Sequence, residues 1–464
     1  MSNDVLSRAT DELDLAIAAK DPSALIQVAS TLHYADLADH YADLEDEDRD
    51  FFLKTIGPKM ATDVIGELPG SLVEEALNHF RPSELRLIFK NLSDDDRVDI
   101  LQGVGTEARQ RYFALLGPDD QKITRSLLRY DEDTAGGRMT THIGRITADM
   151  TVRDAVEALR ADEENTETLA RIFVIDNEGR LLGKIRLRDL AFYPRSTPVR
   201  DIMKPVENTV LATADQEEAA RQLSKYDMVV LPVVDEFDHL LGVLTYDDAL
   251  EILEEESTED LEKLAGIAFE QSEATYLNTS IINHFRRRSV WLVGLAFLSI
   301  GSGYVMYRFE DVLGSAFMLA LFLPMVVAAG GNSGGQAATM VIRAMSLGEV
   351  NVGDVAKIAW RELQVGALLG LLLGSSMGLF ILFVLPLING DPGDGVTFPR
   401  LAAAVSLALA AQVTSSTMLG CALPLAARAA NLDPAVVSSP SLSSTVDVTG
   451  MILYFSVARM ILGI

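Results

Sequence analysis

From Arg288 to the end of the chain, apolar runs long enough to cross a bilayer recur, and nothing else in the sequence constrains the fold as strongly. A hydrocarbon core of about 30 Å takes roughly 20 helical residues. Five runs meet that length, at approximately 289–308, 312–343, 356–388, 399–428 and 437–460. In lipid every backbone amide must be satisfied within its own segment, so this half is expected to form an all-α transmembrane bundle of five helices. Pro324 and Pro424 lie inside two of the runs and are expected kink sites. Arg286, Arg287 and Arg288 precede the first run, Arg343, Lys357 and Arg361 surround the second loop, and Arg428 ends the fourth run. The other loops carry Glu310, Asp311, Asp391 and Asp394, with Arg400 beside the last pair. This bias predicts a cytoplasmic N-terminal half and, after five spans, a C-terminus outside. The opening residues lack a basic segment followed by an apolar core, so no cleavable signal peptide is expected.

The charge is divided in the same way as the hydrophobicity. A formal net charge of −28 coexists with a mean hydropathy of +0.19. Of 39 basic and 67 acidic residues, 10 and 9 lie from His284 onward, which leaves 29 and 58 before it, net +1 against −29. So acidic a soluble half is a poor match for phosphates, and nucleic acid is not an expected partner. The one cysteine, Cys421, excludes a disulfide framework and thiolate metal clusters.

Polar residues within the apolar runs are costly, and so they are informative. Asp447 stands in STVDVTGMILYF near the middle of the last run, where a carboxylate costs about 2.5–3.5 kcal/mol on insertion scales and is a functional-site hypothesis. The alternative is an Asp paired structurally with a donor on a neighbouring helix. Asn332, Ser333, Gln336 and Thr339 in the second run, and Gln412, Thr414, Ser415, Ser416 and Thr417 in the fourth, add oxygens that either face an ion or permit close packing. Gly330, Gly331, Gly334 and Gly335 are open to two readings, helix packing or a locally opened helix that exposes carbonyls. Carboxylate, amide and hydroxyl oxygens without intramembrane His or thiolate suit a hard cation such as Mg²⁺ or Ca²⁺, and with so few carboxylates a largely hydrated Mg²⁺ held through its waters is more reasonable than a bare ion in a full protein cage.

The acidic half contains a repeat. FVIDNEGRLLGKIRLRDLA (Phe173 to Ala191) realigns with PVVDEFDHLLGVLTYDDAL (Pro232 to Leu250) at an offset of 59, matching Asp176 to Asp235, Gly183 to Gly242 and Asp189 to Asp248. With an amphipathic helix ahead of each copy the order is β-α-β-β-α. This resembles a tandem pair of cystathionine-β-synthase-type (CBS) domains. The resemblance implies an adenine-nucleotide site in the second copy, at Thr245 and Asp248, whereas Arg186 occupies the equivalent position in the first. Residues 1–130 read as short helices broken at Pro58, Pro69, Pro82 and Pro118, packed pairwise into a small superhelix. The stretch Glu251 to Glu262 holds seven acids and no base. Such a run is either a solvated face or, with Asp95 and Asp99 at i and i+4, one part of a cluster that a divalent cation would bridge.

The order of acidic helices, TAGGRMT (Thr134 to Thr140), the CBS pair, an acidic connecting helix, PMVVAAGGNSGGQAATMVIRA, LDPAVVSSP and STVDVTG resembles the MgtE family of magnesium channels over essentially the whole chain. The expected fold is thus a multidomain membrane protein: an α-superhelical domain (1–130), two α+β CBS domains (131–199 and 200–255), a connecting helix (256–283) and a five-helix pore domain (284–464). The resemblance implies a homodimer in a bacterial-type inner membrane, with a pore between subunits lined by the second and fifth spans. Two copies of Asp447, with Ser439, Ser443 and Asn332, would face hydrated Mg²⁺. It also implies closure at high internal Mg²⁺, bound by positions matching Asp63, Asp95, Asp99, Glu217, Asp227, Asp247, Asp248, Glu251, Glu256, Glu259 and Asp260. ATP at the CBS pair is a further implied ligand. A transporter coupled to Na⁺ or H⁺ is the alternative reading. An enzyme is not expected, since the chain shows no Gly-rich phosphate loop, no nucleophile with its base, and no zinc spacing.

Overall fold

The computed structural model of the chain describes residues 3–161, 168–268, 279–315, 317–388, 396–430 and 432–463. They form two compact units, Met1–Glu256 and Ser257–Glu270 with Ser280–Ile464.

The first unit opens with short helices, from Asn3–Ala18 to Pro118–Leu127, around a core that includes Leu13, Leu25, Tyr41, Phe52, Leu53, Ile88 and Phe89. Helix ends leave unpaired carbonyls, and here arginines from the following helix reach back to them. Arg49 donates to the carbonyls of Tyr41 and Ala42 at 3.3 and 2.8 Å, and Arg97 to those of Phe89 and Leu92 at 3.0 and 2.8 Å. The Gly-Pro break expected at Pro58 is present: within Asp46–Gly66 the backbone turns at Gly57, whose φ of +75° suits a residue without Cβ.

Two three-stranded sheets follow. In the first, β1 (Ile143–Thr147) runs parallel to β2 (Thr168–Ile175), which is antiparallel to β3 (Leu181–Ile185); β4 (Val210–Leu211), β5 (Val230–Val234) and β6 (Leu240–Thr245) repeat this arrangement. The 59-residue repeat is chemical as well as topological. Asp176 accepts hydrogen bonds from the amides of Glu178 and Arg180, and Asp235 from those of Phe237 and His239, so each closes the same hairpin turn. The segment ahead of each sheet pairs with the last strand of the other, Thr140 with Val243 and Lys204 with Lys184. Gly183 makes room for that exchange, since a Cβ there would lie 2.8 Å from the Lys204 carbonyl.

In the second unit five helices are long and apolar enough to cross a membrane: Ile281–Arg308, Met318–Ser346, Val355–Ile388, Phe398–Ala429 and Ser441–Leu462, the last being part of the longer helix Pro434–Leu462. They are called the first to fifth membrane helices below. The first begins well before residue 289, because its helix continues through Arg286, Arg287 and Arg288. The second starts after a separate short helix, Glu310–Ser315. The helices continue through Pro324 and Pro424, and the irregularity lies instead in the third, a π turn at Phe380–Val384.

The fourth helix is the hub of the bundle, burying Leu401, Ala404, Val405, Ala408, Gln412, Val413, Ser416 and Thr417. Against it packs a line of glycines four residues apart on the third helix, Gly366, Gly370, Gly374 and Gly378. A Cβ at Gly370 or Gly374 would lie 2.6 or 2.7 Å from a fourth-helix carbonyl, so the two backbones touch. Four glycines at i, i+4 spacing are a packing signal already present in the sequence.

Candidate ion path and regulatory interface

Residue 448 is the midpoint of the helix Pro434–Leu462, so Asp447 stands at its centre. Its carboxylate is half-buried and has no hydrogen-bond or ion-pair partner among the described residues. The structural reading, an Asp paired with a donor on a neighbouring helix, therefore finds no such donor there. On the same helix Ser443 is exposed, and on the second helix so are Asn332, Gln336 and Thr339. The side chain of Ser439 falls outside the described residues.

The second helix is unbroken across its glycines, which decides between their two readings in favour of packing at two positions. Gly330 meets Gln412 and Val446, and Gly334 meets the Ser416 carbonyl, whereas a Cβ at Gly331 or Gly335 would meet nothing. The fourth-helix hydroxyls are likewise mostly turned to structure: Thr414 donates to the Ala410 carbonyl, Ser415 to that of Gln412, and Thr417 to those of Thr414 and Glu362. An apolar groove of about 1120 Å³ between the third, fourth and fifth helices, lined by residues such as Leu363, Leu371, Met418 and Ile452, has no titratable group in its walls. It therefore offers no charge to hold a cation.

Between the helical domain and the CBS pair lies the second candidate region. Val98 packs into one core with Leu127, Met139, Leu231, Leu244 and Ile252. Asp94 takes hydrogen bonds from Arg97 at 3.0 Å and from Thr141. Around this contact the carboxylates face each other. Burial pushes the Asp96 carboxyl above the usual carboxylate range. Burial also raises Asp248, with Asp247 and Asp96 adding repulsion, and raises Glu67, with Asp96 and Asp247 adding to it. Asp63 is raised by burial as well. Of these, Glu67 and Asp96 were not anticipated; the DDD run at Asp94–Asp96 was the available signal.

The other anticipated regulatory positions have assorted surroundings. Asp95 is buried. Asp99 receives Arg138 at 3.4 Å, Glu217 pairs with Arg221, Glu256 accepts from Gln216 at 2.6 Å, and Glu259 pairs with Lys263. Glu251 is exposed, Asp260 is half-buried, and Asp227 holds a left-handed turn at φ +49°. Among the described residues, no three acidic, His or Cys side chains come close enough to hold a metal ion. Arg138, also unanticipated, lies between the acids. It donates to Glu255 at 2.6 Å and to Gln216 at 3.0 Å. Burial opposes its charge, but Asp99, Glu255, Glu251 and Asp133 outweigh that and hold its pKa above the usual arginine value.

At the repeat-equivalent positions of the two CBS copies the chemistry diverges. Thr245 donates to Asp248 at 2.6 Å and also to Asp247, while Arg186 forms a two-pronged pair with Asp189 at 2.9 and 3.0 Å.

Fold and site together define a multi-pass membrane protein with a CBS pair and a carboxylate, Asp447, within a membrane helix. The family model for MgtE divalent cation transporters matches residues 323–457, that for the MgtE intracellular N domain matches 32–133, and the CBS model matches 135–196 and 199–255. The chain is 35% identical to the magnesium transporter MgtE of Thermus thermophilus over 97% of its own length and 98% of the relative's. It is 29% identical to that of Bacillus subtilis over 86% and 85%. A solved cytosolic domain of the Mg²⁺ channel MgtE in complex with ATP matches with 37% identity and a TM-score of 0.50, covering 52% of this chain and 99% of that one. The chain belongs to the MgtE family of divalent cation transporters.

Proposed function

We propose that this protein is a Mg²⁺ channel that admits the ion to the cell and is closed by Mg²⁺ on the cytoplasmic side. It works as a homodimer with the C-terminus outside. Its pore runs between subunits along the second and fifth membrane helices, where the two Asp447 carboxylates face a hydrated ion. Oxygens of Asn332, Ser443 and Ser439 complete the path. The observation that carries this reading is Asp447, a carboxylate within the fifth membrane helix and at the centre of the longer helix Pro434–Leu462, with no donor beside it among the described residues. Such a group is expensive in lipid and is accounted for by a cation. The names of the relatives point to the same ion.

The regulatory ion belongs among the acids of the cytoplasmic unit. Asp63, Asp95, Asp99, Glu217, Asp227, Asp247, Asp248, Glu251, Glu256, Glu259 and Asp260 supply oxygen donors of the kind a hard cation takes, and the mutual repulsion of Asp96, Asp247 and Asp248 is what a divalent ion would relieve. Binding there favours the closed form only in so far as the ion prefers it. ATP is proposed at the second CBS copy, where Thr245 and Asp248 lie; the Arg186 and Asp189 pair fills the matching place in the first copy.

The test is Mg²⁺ flux into liposomes with internal Mg²⁺ varied. The wild type is expected to conduct at low internal Mg²⁺ and to close as it rises. Asp447→Ala is expected to be silent while still eluting as a folded dimer. Normal flux by Asp447→Ala would overturn the assignment, and flux that requires a Na⁺ or H⁺ gradient would replace the channel with a coupled transporter.

A further inference from the structure

Gln412 sits in the middle of the fourth helix, and none of its surface is exposed. Its Nε2 donates at 3.0 Å to the carbonyl of Val446, the residue immediately before Asp447. Its Oε1 has no hydrogen-bond partner among the described residues. The amide lies between two glycines, Gly330 of the second helix and Gly450 of the fifth, and a Cβ on either would collide with Nε2. An apolar side chain would fill that space without leaving a buried polar atom unsatisfied, so the amide carries a cost that packing does not explain.

We propose that Gln412 is a positioning residue for ion conduction, setting the height and rotation of the fifth helix so that Asp447 faces the ion. The inference rests on the reading of Asp447 as the ion-path carboxylate. Successive residues of a helix are about 100° apart. A directional bond to the carbonyl of residue 446 therefore fixes where residue 447 points. The glycine walls leave the amide little room to shift, and it ties the second, fourth and fifth helices together at the level of the carboxylate. Gln412 itself is enclosed by these helices, so it acts through Asp447 and does not touch the ion.

The experiment compares the wild type, Gln412→Met, Gln412→Glu and Asp447→Ala as full-length chains in liposomes, reading Mg²⁺ and Ca²⁺ influx together with dimer elution and thermal midpoint. Gln412→Met keeps the length of the side chain and loses the donor. It is expected to elute as the wild type does, to conduct Mg²⁺ about tenfold more slowly, and to discriminate less between Mg²⁺ and Ca²⁺. A lower flux with an unchanged ion ratio would assign Gln412 to structure alone and overturn the proposal, as would wild-type flux and ratio beside a silent Asp447→Ala. If Gln412→Met does not give a folded dimer, Gln412→Glu is judged by the same outcomes, and failure of both to fold overturns the positioning role. Conduction by Asp447→Ala would instead remove the underlying reading, and this inference with it.

Discussion

Lys263 Nζ lies 2.7 Å from Asp433 Oδ2, and Asp433 is also the N-cap of the helix that carries Asp447, accepting from the Ala435 amide at 2.8 Å. The acidic helix Tyr246–Leu264 is thus clamped near its end to the start of the helix Pro434–Leu462. Burial opposes the charge of Lys263, but Asp433 and Glu259 outweigh it and hold its pKa above the usual lysine value. One residue earlier, Glu262 pairs with Arg287 at the base of the first membrane helix. If this clamp transmits closure, Lys263→Met is expected to raise the internal Mg²⁺ needed for half-closure roughly fivefold, the lower end of common coupling energies. Flux against internal Mg²⁺ measures it, and an unchanged curve would show that closure does not pass through Lys263.

Arg138 holds the helical domain to the CBS pair with a charge of its own, through Asp99, Gln216 and Glu255. Its side chain is 11% exposed, while those of Glu255 and Asp99 are 24% and 42% exposed, so solvent weakens the loss below that of a fully buried pair. Arg138→Met is expected to cost about 1–2 kcal/mol of cytoplasmic-unit stability. It is also expected to make protection from protease depend more steeply on Mg²⁺. Equal protection of variant and wild type in chelator would contradict this.

Acidification is expected to act in the same direction as Mg²⁺. Asp96 and Asp248 have folded pKa values raised chiefly by burial. In the window between the ordinary carboxylate pKa near 4 and the raised value, the folded state binds more protons than the unfolded one, so stability rises as pH falls through the window. Protease protection of the cytoplasmic unit without Mg²⁺ should therefore rise as the pH is lowered from neutrality toward the ordinary carboxylate range. Asp96→Asn should flatten the rise, and protection that falls steadily with acid would refute the claim.

The glycine line predicts a sharp contrast within the membrane. Gly370→Val places atoms against the backbone of Ala410, which cannot give way, and is expected to cost about 1–3 kcal/mol or more. Gly294→Ala, on the first membrane helix with open space around it, is expected to be neutral or slightly stabilising. Thermal midpoints in detergent decide, and equal effects would exclude backbone contact as the function of Gly370.

Much of this protein is legible in its residues one stretch at a time, because the physics involved is local. Five apolar runs of 20 or more residues are long enough to cross a bilayer as helices, the offset of 59 builds two like sheets, and a carboxylate such as Asp447 in an apolar run marks itself by its cost. What depends on distant parts of the chain meeting was not legible. The Thr417 hydroxyl, open in the sequence to an ion-facing or a packing reading, donates to the Glu362 carbonyl of the third helix, a bond between residues 55 apart in the chain. Glu67 and Arg138 look like ordinary surface charges until the helical domain meets the CBS pair. Gln412 is one more polar residue in an oxygen-rich stretch until the second and fifth helices bring Gly330 and Gly450 to either side of it. The class of fold and the presence of an acid within an apolar run follow from the residues alone, since hydrophobicity and repeat register are properties of a continuous stretch of chain. Which charges meet, and which residues lie against Gln412, became visible in the folded chain alone, because burial and pairing between helices exist only once folding has brought distant segments together.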